Sequence, residues 1–449
     1  MKSAQGIIMK IAGILTLPLI LLSCTPESIG TDIPSNSNWD TYLGDNARTH
    51  YSPLTQITRN NVEQLELAWS YDSGELREGG STMYTSPLVV DGVLYSLSPK
   101  LVAFALNAAT GEEIWRYDTG GNGAPQRGLM WWQEGNERRL IYAAGRELIA
   151  LDAGNGEPVE SFGEDGRLDL RPSADVGPFF TSVPGIVFEN MLIMGFSTSE
   201  SSTSHAGMIR AFDVRTGAEI WRFNSLPLTG GLGSDTWEEG ALLNSGGANN
   251  WTGMTLDEER GMLFIPTGSA TPDFYGASRK GDNLFANSLV ALDVHTGSYR
   301  WHYQTIRHDL WDRDLPSPPT LVQLERNGVL VDGVAVTTKS GHLFLFNRDT
   351  GESLYDIYEV DGIASTLPGE QAADSQPVSS VAFTRQEFEM TTRNQEAIDH
   401  VTEVVAPIDQ RPWAPPTTAG ILFYPSYDGG AEWGGSAYDP NGHKLILNA

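Results

Sequence analysis

A seven-residue turn signature recurs along the chain and constrains its fold more than any other feature. Ala105-Leu106-Asn107-Ala108-Ala109-Thr110-Gly111 leads to Trp115, Ala211-Phe212-Asp213-Val214-Arg215-Thr216-Gly217 to Trp221, and Ala291-Leu292-Asp293-Val294-His295-Thr296-Gly297 to Trp301. Leu345-Phe346-Asn347-Arg348-Asp349-Thr350-Gly351 leads to Tyr355, whereas Ala150-Leu151-Asp152-Ala153-Gly154-Asn155-Gly156 has no Trp after it. Each copy reads as strand, tight turn, strand. The Asp or Asn seeds the turn, the Gly takes a positive φ, and the aromatic packs on the next unit. The glycines are 45, 61, 80 and 54 residues apart, which suits one four-stranded blade per copy plus loop insertions. Apolar strands such as Leu88-Val89-Val90 and Met262-Leu263-Phe264-Ile265 fill the intervals. The expected fold is therefore all-β, a β-propeller. A sandwich array is the alternative, but it would not need an aromatic at a fixed offset after each turn. Two segments do not repeat: 230–250, rich in Gly, Ser and Asn, reads as a long loop, and 362–380 reads as a polar surface crossing.

Composition narrows the function. Among 449 residues, Asp and Glu outnumber Lys and Arg by 57 to 29, giving a net charge of −28. That balance argues against nucleic acid and anionic membrane surfaces as partners. Lys2 and Lys10 precede an apolar run, Ile11–Leu22, too short for a stable membrane span. It ends in Leu21-Leu22-Ser23-Cys24, which resembles a bacterial lipobox. Residues 1–23 are then a lipoprotein signal peptide, Cys24 is the lipidated residue, and 24–38 is a flexible tether holding the protein on the periplasmic side of a bacterial membrane. An ordinary signal peptide with a chance cysteine is the alternative. Cys24 is the only cysteine, so no intrachain disulfide, thiolate metal site or haem-attaching cysteine pair exists.

Chemistry concentrates at His308-Asp309-Leu310-Trp311-Asp312-Arg313-Asp314, after the strand-like run Tyr299–Ile306 and before Pro316, Pro318 and Pro319. Such charged, aromatic knots at strand exits are where propellers place chemistry. The plain alternative is a solvated turn whose carboxylates cap local backbone.

These repeats and this stretch, with Tyr42-Leu43-Gly44-Asp45 and Tyr51-Ser52-Pro53-Leu54, resemble the pyrroloquinoline-quinone (PQQ)-dependent dehydrogenases, and within them the membrane-type glucose dehydrogenase branch. The resemblance covers residue 39 to the end. It implies a flat orthoquinone in the propeller channel with Ca2+ or another hard cation against it, and hydride transfer from an alcohol to the quinone. Asp312 falls at the family's base and Lys339, in Thr337-Thr338-Lys339-Ser340-Gly341, at its quinone-polarising lysine. Glu200, Thr271 and Asp312 are the implied metal ligands, all oxygen donors. Arg127 matches an arginine that binds a PQQ carboxylate. Trp251 matches the indole wall against the quinone plane. Thr181, Ser197 and Thr271 match hydroxyls at the cofactor, and Trp433 lies in a matching loop, Gly429–Gly434. The plain alternatives are a surface lysine for Lys339 and a core or docking indole for Trp251, since there are 12 Trp.

The chain departs from the family pattern where Ser269 replaces an Asn ligand of the alcohol dehydrogenase branch, Lys100 replaces a His over the quinone, and Tyr84 replaces a Glu. The last two put glucose as substrate in doubt more than the cofactor. The implied partners are a sugar or alcohol substrate and a quinone or cytochrome that takes electrons to the respiratory chain. A second reading is a non-enzymatic propeller lipoprotein that scaffolds outer-membrane assembly, which would have no use for Asp312, Lys339 and Glu200 together. The family closes eight blades. Five turn signatures, then a strand pair Ile421–Tyr424 and Lys444–Asn448, lead to the expectation of an incomplete ring in the 449 residues.

Overall fold

The computed structural model describes residues 38–448 apart from 77, 79, 121–124 and 173–178. The expectations for the leader, for Cys24 and for the tether up to residue 37 fall outside the described residues. Four sheets are four-stranded antiparallel meanders. The first joins Leu88–Val90, Val93–Leu97, Ala103–Asn107 and Glu113–Tyr117; the second joins Met130–Glu134, Glu137–Ala144, Glu147–Asp152 and Arg167–Asp169. The third joins Ile186–Phe188, Met191–Met194, Met208–Asp213 and Glu219–Asn224; the fourth joins Thr255–Asp257, Met262–Pro266, Ser288–Asp293 and Tyr299–Gln304. A fifth sheet has three strands, Thr320–Arg326, Val329–Thr337 and Leu343–Asn347. The hydrophobic core is a series of layers between consecutive sheets. One layer packs Ile193 and Trp221 of the third sheet on Leu263 and Val290 of the fourth, and another packs Phe264 and Trp301 of the fourth on Val334 and Phe346 of the fifth. This stacking of twisted meanders is the β-propeller arrangement.

The recurrent turn behaves as its chemistry dictates. Asp213 Oδ1 accepts hydrogen bonds from the amides of Arg215 at 3.0 Å and Thr216 at 2.8 Å. Gly217 then takes φ +76°, which a side chain disfavours. The aromatic reaches the following sheet, as expected. Trp115 Nε1 donates to Ala153 O at 3.0 Å, Trp221 Nε1 to Val294 O at 3.0 Å, and Trp301 Nε1 to Arg348 O at 2.9 Å. Each indole lies flat on the next turn's glycine: a Cβ at Gly297 would stand 2.5 Å from Trp221. The turn without a following Trp places no indole on the next glycine; Leu168 lies against Gly217 instead. Trp69, outside the five signatures, docks on Gly111 and donates to Ala108 O at 3.1 Å. Tyr355, by contrast, is exposed.

Three expectations need correction. The segment 230–250 contains short 3-10 turns at Ser234–Thr236 and Ala241–Leu243, and its Gly246–Gly247 pairs with Ala270–Thr271. The segment 362–380 is no mere surface crossing. Its Ser375–Ser379 pairs with Ile357–Asp361, and its Glu370 side chain is buried against His308. Polarity misled there, because buried polar groups with partners look the same in sequence as solvated ones. Finally, Ile421–Tyr424 is not a strand; Lys444–Leu447 pairs with Ser436–Asp439 across a tight turn. The helix Gln395–Val405, capped by the Asn394 side chain on Ala397 N, was not anticipated.

Candidate active site

The seven-residue knot leaves the fourth sheet after Gln304 and divides its three carboxylates between two tasks. Asp309 turns into the core. It accepts from Ser269 Oγ at 2.6 Å, Asn287 Nδ2 at 2.8 Å and the amides of Trp311 and Arg313 at 2.9 and 2.6 Å. Asp309 therefore caps local backbone, as the plain reading has it, but it is buried and not solvated. Asp312 and Asp314 face a cavity of about 270 Å³. Arg313, between them, points the opposite way and staples the knot through donation to Lys339 O, Ser426 O and Tyr424 O. Asp312 itself has φ +54°, strained for a non-glycine residue and held by these contacts on either side.

Side chains from separate sheets and loops converge on this cavity. Lys339, at the turn between the last two strands of the fifth sheet, puts its Nζ 3.0 Å from Asp312 Oδ2 and 2.5 Å from Asp314 Oδ1. Trp251 donates its indole N–H to Asp314 Oδ2. Ser197, Glu200, Thr271, Asp273 and Asn249 complete much of the wall. Of the residues singled out in the sequence, Asp312, Lys339, Trp251, Thr271, Ser197 and Glu200 thus meet at one place. Arg127 and Trp433 adjoin it: the Arg127 guanidinium lies between two indoles, 5.1 Å from the ring centre of Trp251 and 4.9 Å from that of Trp433. Thr181 does not join them. Its buried hydroxyl donates to Val183 O at 3.0 Å. Lys100 is exposed, and Tyr84 stands edge-on to Trp433. Gly429 and Gly430 pack on Lys339 so closely that a Cβ at Gly429 would come within 2.6 Å of the lysine side chain.

Asp273 and Asp314 were given no role in the sequence. For Asp314 the signal was available: it is a further carboxylate two residues from Asp312 in the same charged stretch. Asp273 carried no such mark.

The electrostatics follow from crowding acids with one lysine. Burial and the Asp314 carboxylate push Asp312 up to about 7, against the pull of Lys339. Burial, with Asp312, Asp309 and Glu200 close by, pushes Asp273 up to about 8. Burial would lower Lys339, but Asp314 and Asp312 outweigh it and keep the ammonium protonated.

The residues fit a flat anionic quinone beside a hard cation. Trp251 offers an aromatic face, and Lys339 and Arg127 offer cations. Among the described residues no sulfur or imidazole lines the cavity, and the atoms there that could ligate a hard cation are carboxylate, hydroxyl and amide oxygens. The Thr271 hydroxyl is buried without a hydrogen-bond partner among the described residues, as a group waiting for a ligand would be. Among the described residues, however, no three acidic or imidazole groups are gathered into a ready metal cage.

Residues 39–449 match the family described as PQQ glucose/ethanol/alcohol dehydrogenase, β-propeller domain. The quinoprotein glucose dehydrogenase of Escherichia coli (strain K12) is 30% identical over 92% of this chain and 56% of its own length. The glycerol dehydrogenase large subunit of Gluconobacter oxydans (strain 621H) is 28% identical over 92% of this chain and 60% of its own. The solved quinohemoprotein alcohol dehydrogenase ADHIIG of Pseudomonas putida HK5 superposes with a TM-score of 0.69 at 26% identity, over 90% of this chain and 56% of that one. The chain thus spans little more than half the length of these relatives. Turn signature, Trp docking, the Asp312–Lys339 pair and the match over 39–449 agree, and the chain belongs to the PQQ family of glucose, ethanol and alcohol dehydrogenase β-propellers.

Proposed function

We propose that this protein is a PQQ-dependent dehydrogenase that oxidises a sugar or another alcohol. The observation that carries the reading is the meeting of Asp312, Lys339, Trp251 and Thr271 on one cavity from distant parts of the chain. A scaffold would have no cause to bury three acids and a lysine together, since each buried charge costs stability unless it is paired.

When bound, PQQ with its cation would supply the two-electron acceptor that takes the hydride. The chain's residues would do the rest. Trp251 would hold the flat ring by its face, and Arg127, stacked between indoles, would bind a ring carboxylate. Ser197 and Thr271 would donate or accept at the ring's oxygens, and Glu200, Thr271 and Asp312 would hold the cation through oxygen. Asp312 would take the hydroxyl proton of the substrate as charge develops there, the cation and Lys339 keeping the carboxylate ionised and able to accept it. Lys339 would stabilise negative charge at the quinone oxygens as it builds. Electrons would pass to a quinone or a cytochrome.

We place the protein on the periplasmic face of a bacterial membrane, held by lipid at Cys24; among the described residues no helix is long and apolar enough to cross a membrane. The test is reconstitution of the full-length protein with PQQ and Ca2+, followed by dye-linked assays over sugars and alcohols. Bound-quinone absorbance with alcohol-dependent dye reduction is expected; failure to retain PQQ at micromolar concentration would overturn the reading.

A further inference from the structure

Beside the cavity runs a second groove, of about 350 Å³, with a different character. Phe274, Ile421, Phe423, Tyr427 and Pro416 line it. The Phe274 and Tyr427 rings are stacked, with centres 5.8 Å apart and planes 22° from parallel, and Phe423 tilts against Tyr427 at 6.1 Å. These rings are presented to solvent: Phe274 is 37% exposed and Tyr427 56%.

The groove adjoins the site. Phe274 directly follows Asp273, which lines the cavity. Tyr427 lies two residues before Gly429, which packs on the Lys339 side chain at the cavity. Burial, then the charges of Asp312 and Glu200, lift the Tyr427 phenol above its usual range, so that ring is within electrostatic reach of the carboxylates. Nor is Phe274 loosely held. Asp273 before it is buried, the Tyr275 hydroxyl after it donates to Pro368 O, and the Gly276 amide donates to Glu370. Preorganised exposed rings of this kind cost little entropy to occupy.

Polar groups are scarce in the groove. Its side chains bring two hydroxyls, and Thr417 spends its own on Gly420 O at 2.9 Å. Polyol hydroxyls turned toward these rings would find few partners, whereas an apolar body gains by covering them.

We propose that Phe274 and Tyr427 form a specificity lip that receives an apolar, preferably aromatic, substituent of the alcohol, so that the substrate class is hydrophobic alcohols rather than sugars. This rests on the dehydrogenase reading above. The probes are 2-phenylethanol, ethanol and glucose, used with the full-length protein and its Phe274→Ser and Tyr427→Ser variants, with folding checked by circular dichroism.

In saturation-transfer NMR without added PQQ, the phenyl protons of 2-phenylethanol should be saturated by the wild type and much less by either variant. In the PQQ- and Ca2+-loaded protein, kcat/KM should favour 2-phenylethanol over glucose. Its ratio to ethanol should fall about tenfold in each variant, the scale of a lost apolar contact. Glucose preferred over 2-phenylethanol, an unchanged ratio in the variants, or no saturation of the phenyl protons would each overturn the lip. Loss of PQQ binding would instead overturn the dehydrogenase reading, with the NMR result still deciding the lip. Should the Phe274 variant not fold, the more exposed Tyr427 supplies the decision.

Discussion

Asp312, Asp314 and Lys339 form a set in which each charge is tolerable only because of the others. Lys339 touches both carboxylates, and Trp251 donates to one of them. Lys339→Ala leaves Asp314 buried without its counter-ion and should cost about 3–5 kcal/mol, as broken buried pairs do. Lys339→Met combined with Asp314→Asn should recover most of that loss. Urea midpoints of the two variants check both halves; an undiminished midpoint in Lys339→Ala would mean that the ammonium is not compensating the acid. Asp312 carries the chemical prediction. Asp312→Asn should retain PQQ, seen by its absorbance, while turnover falls by roughly 10²-fold or more, the range for loss of a general base.

Between blades, each docking indole and the glycine beneath it act as one unit. Trp221→Ala should cost about 3–5 kcal/mol, the usual price of deleting a large buried aromatic. Gly297→Ala should also destabilise by well over 1 kcal/mol, because the new Cβ meets Trp221 at 2.5 Å where φ is +67°. Gly74→Ala is the control: its φ is +74° but nothing lies within 4 Å, so only the backbone strain remains. Melting temperatures of these variants separate packing from backbone conformation.

The segment 362–380 reaches the strand exit through Glu370, which pairs with His308 Nε2 at 2.8 Å. Burial alone would push the Glu370 carboxyl up; hydrogen bonds from His308 and from the Gly276 and Gln371 amides outweigh it and hold it below the usual carboxylate range. A depressed acid stabilises the fold fully above its unfolded value and loses that contribution as pH falls through its folded value. Glu370→Gln should therefore be less stable than wild type near pH 7, and the gap should narrow on acidification from about pH 5 to pH 3. A gap that stays constant in denaturant titrations across that range would rule the carboxylate out as the cause.

For the whole molecule, an excess of negative charge meets a cavity that concentrates it. Net charge is −28, and Asp273, Asp312 and Glu200 line the same space. A cation bound there relieves repulsion in the folded state only. Ca2+ with PQQ should raise the melting temperature, by an amount equivalent to about 2.7 kcal/mol at a hundredfold excess over Kd. A chelator should reverse the rise; calorimetric scans with and without EDTA provide the measurement. A melting temperature indifferent to Ca2+ and PQQ would argue against a cation site here.

What was legible in the chain by itself was whatever depends on near neighbours in sequence. Asn107, Asp213 and Asp293 bond the amides two and three residues on, so the turn, its glycine and the aromatic four residues later form a local code that a reader can see repeating. Asp312 and Lys339 were legible only because the chain resembles a known family, since 27 residues separate them and no local rule joins them. Tertiary structure alone decided which of three carboxylates in seven residues faces the core, that Thr181 spends its hydroxyl on backbone, and that Glu370 is buried. It also alone set Asp273 on the same cavity as Asp312. These are questions of what lies across a sheet or a blade interface. Burial and pairing turn the same polar side chain into a surface group, a clamp or a reactive acid, and neither is written in the residue's own neighbourhood.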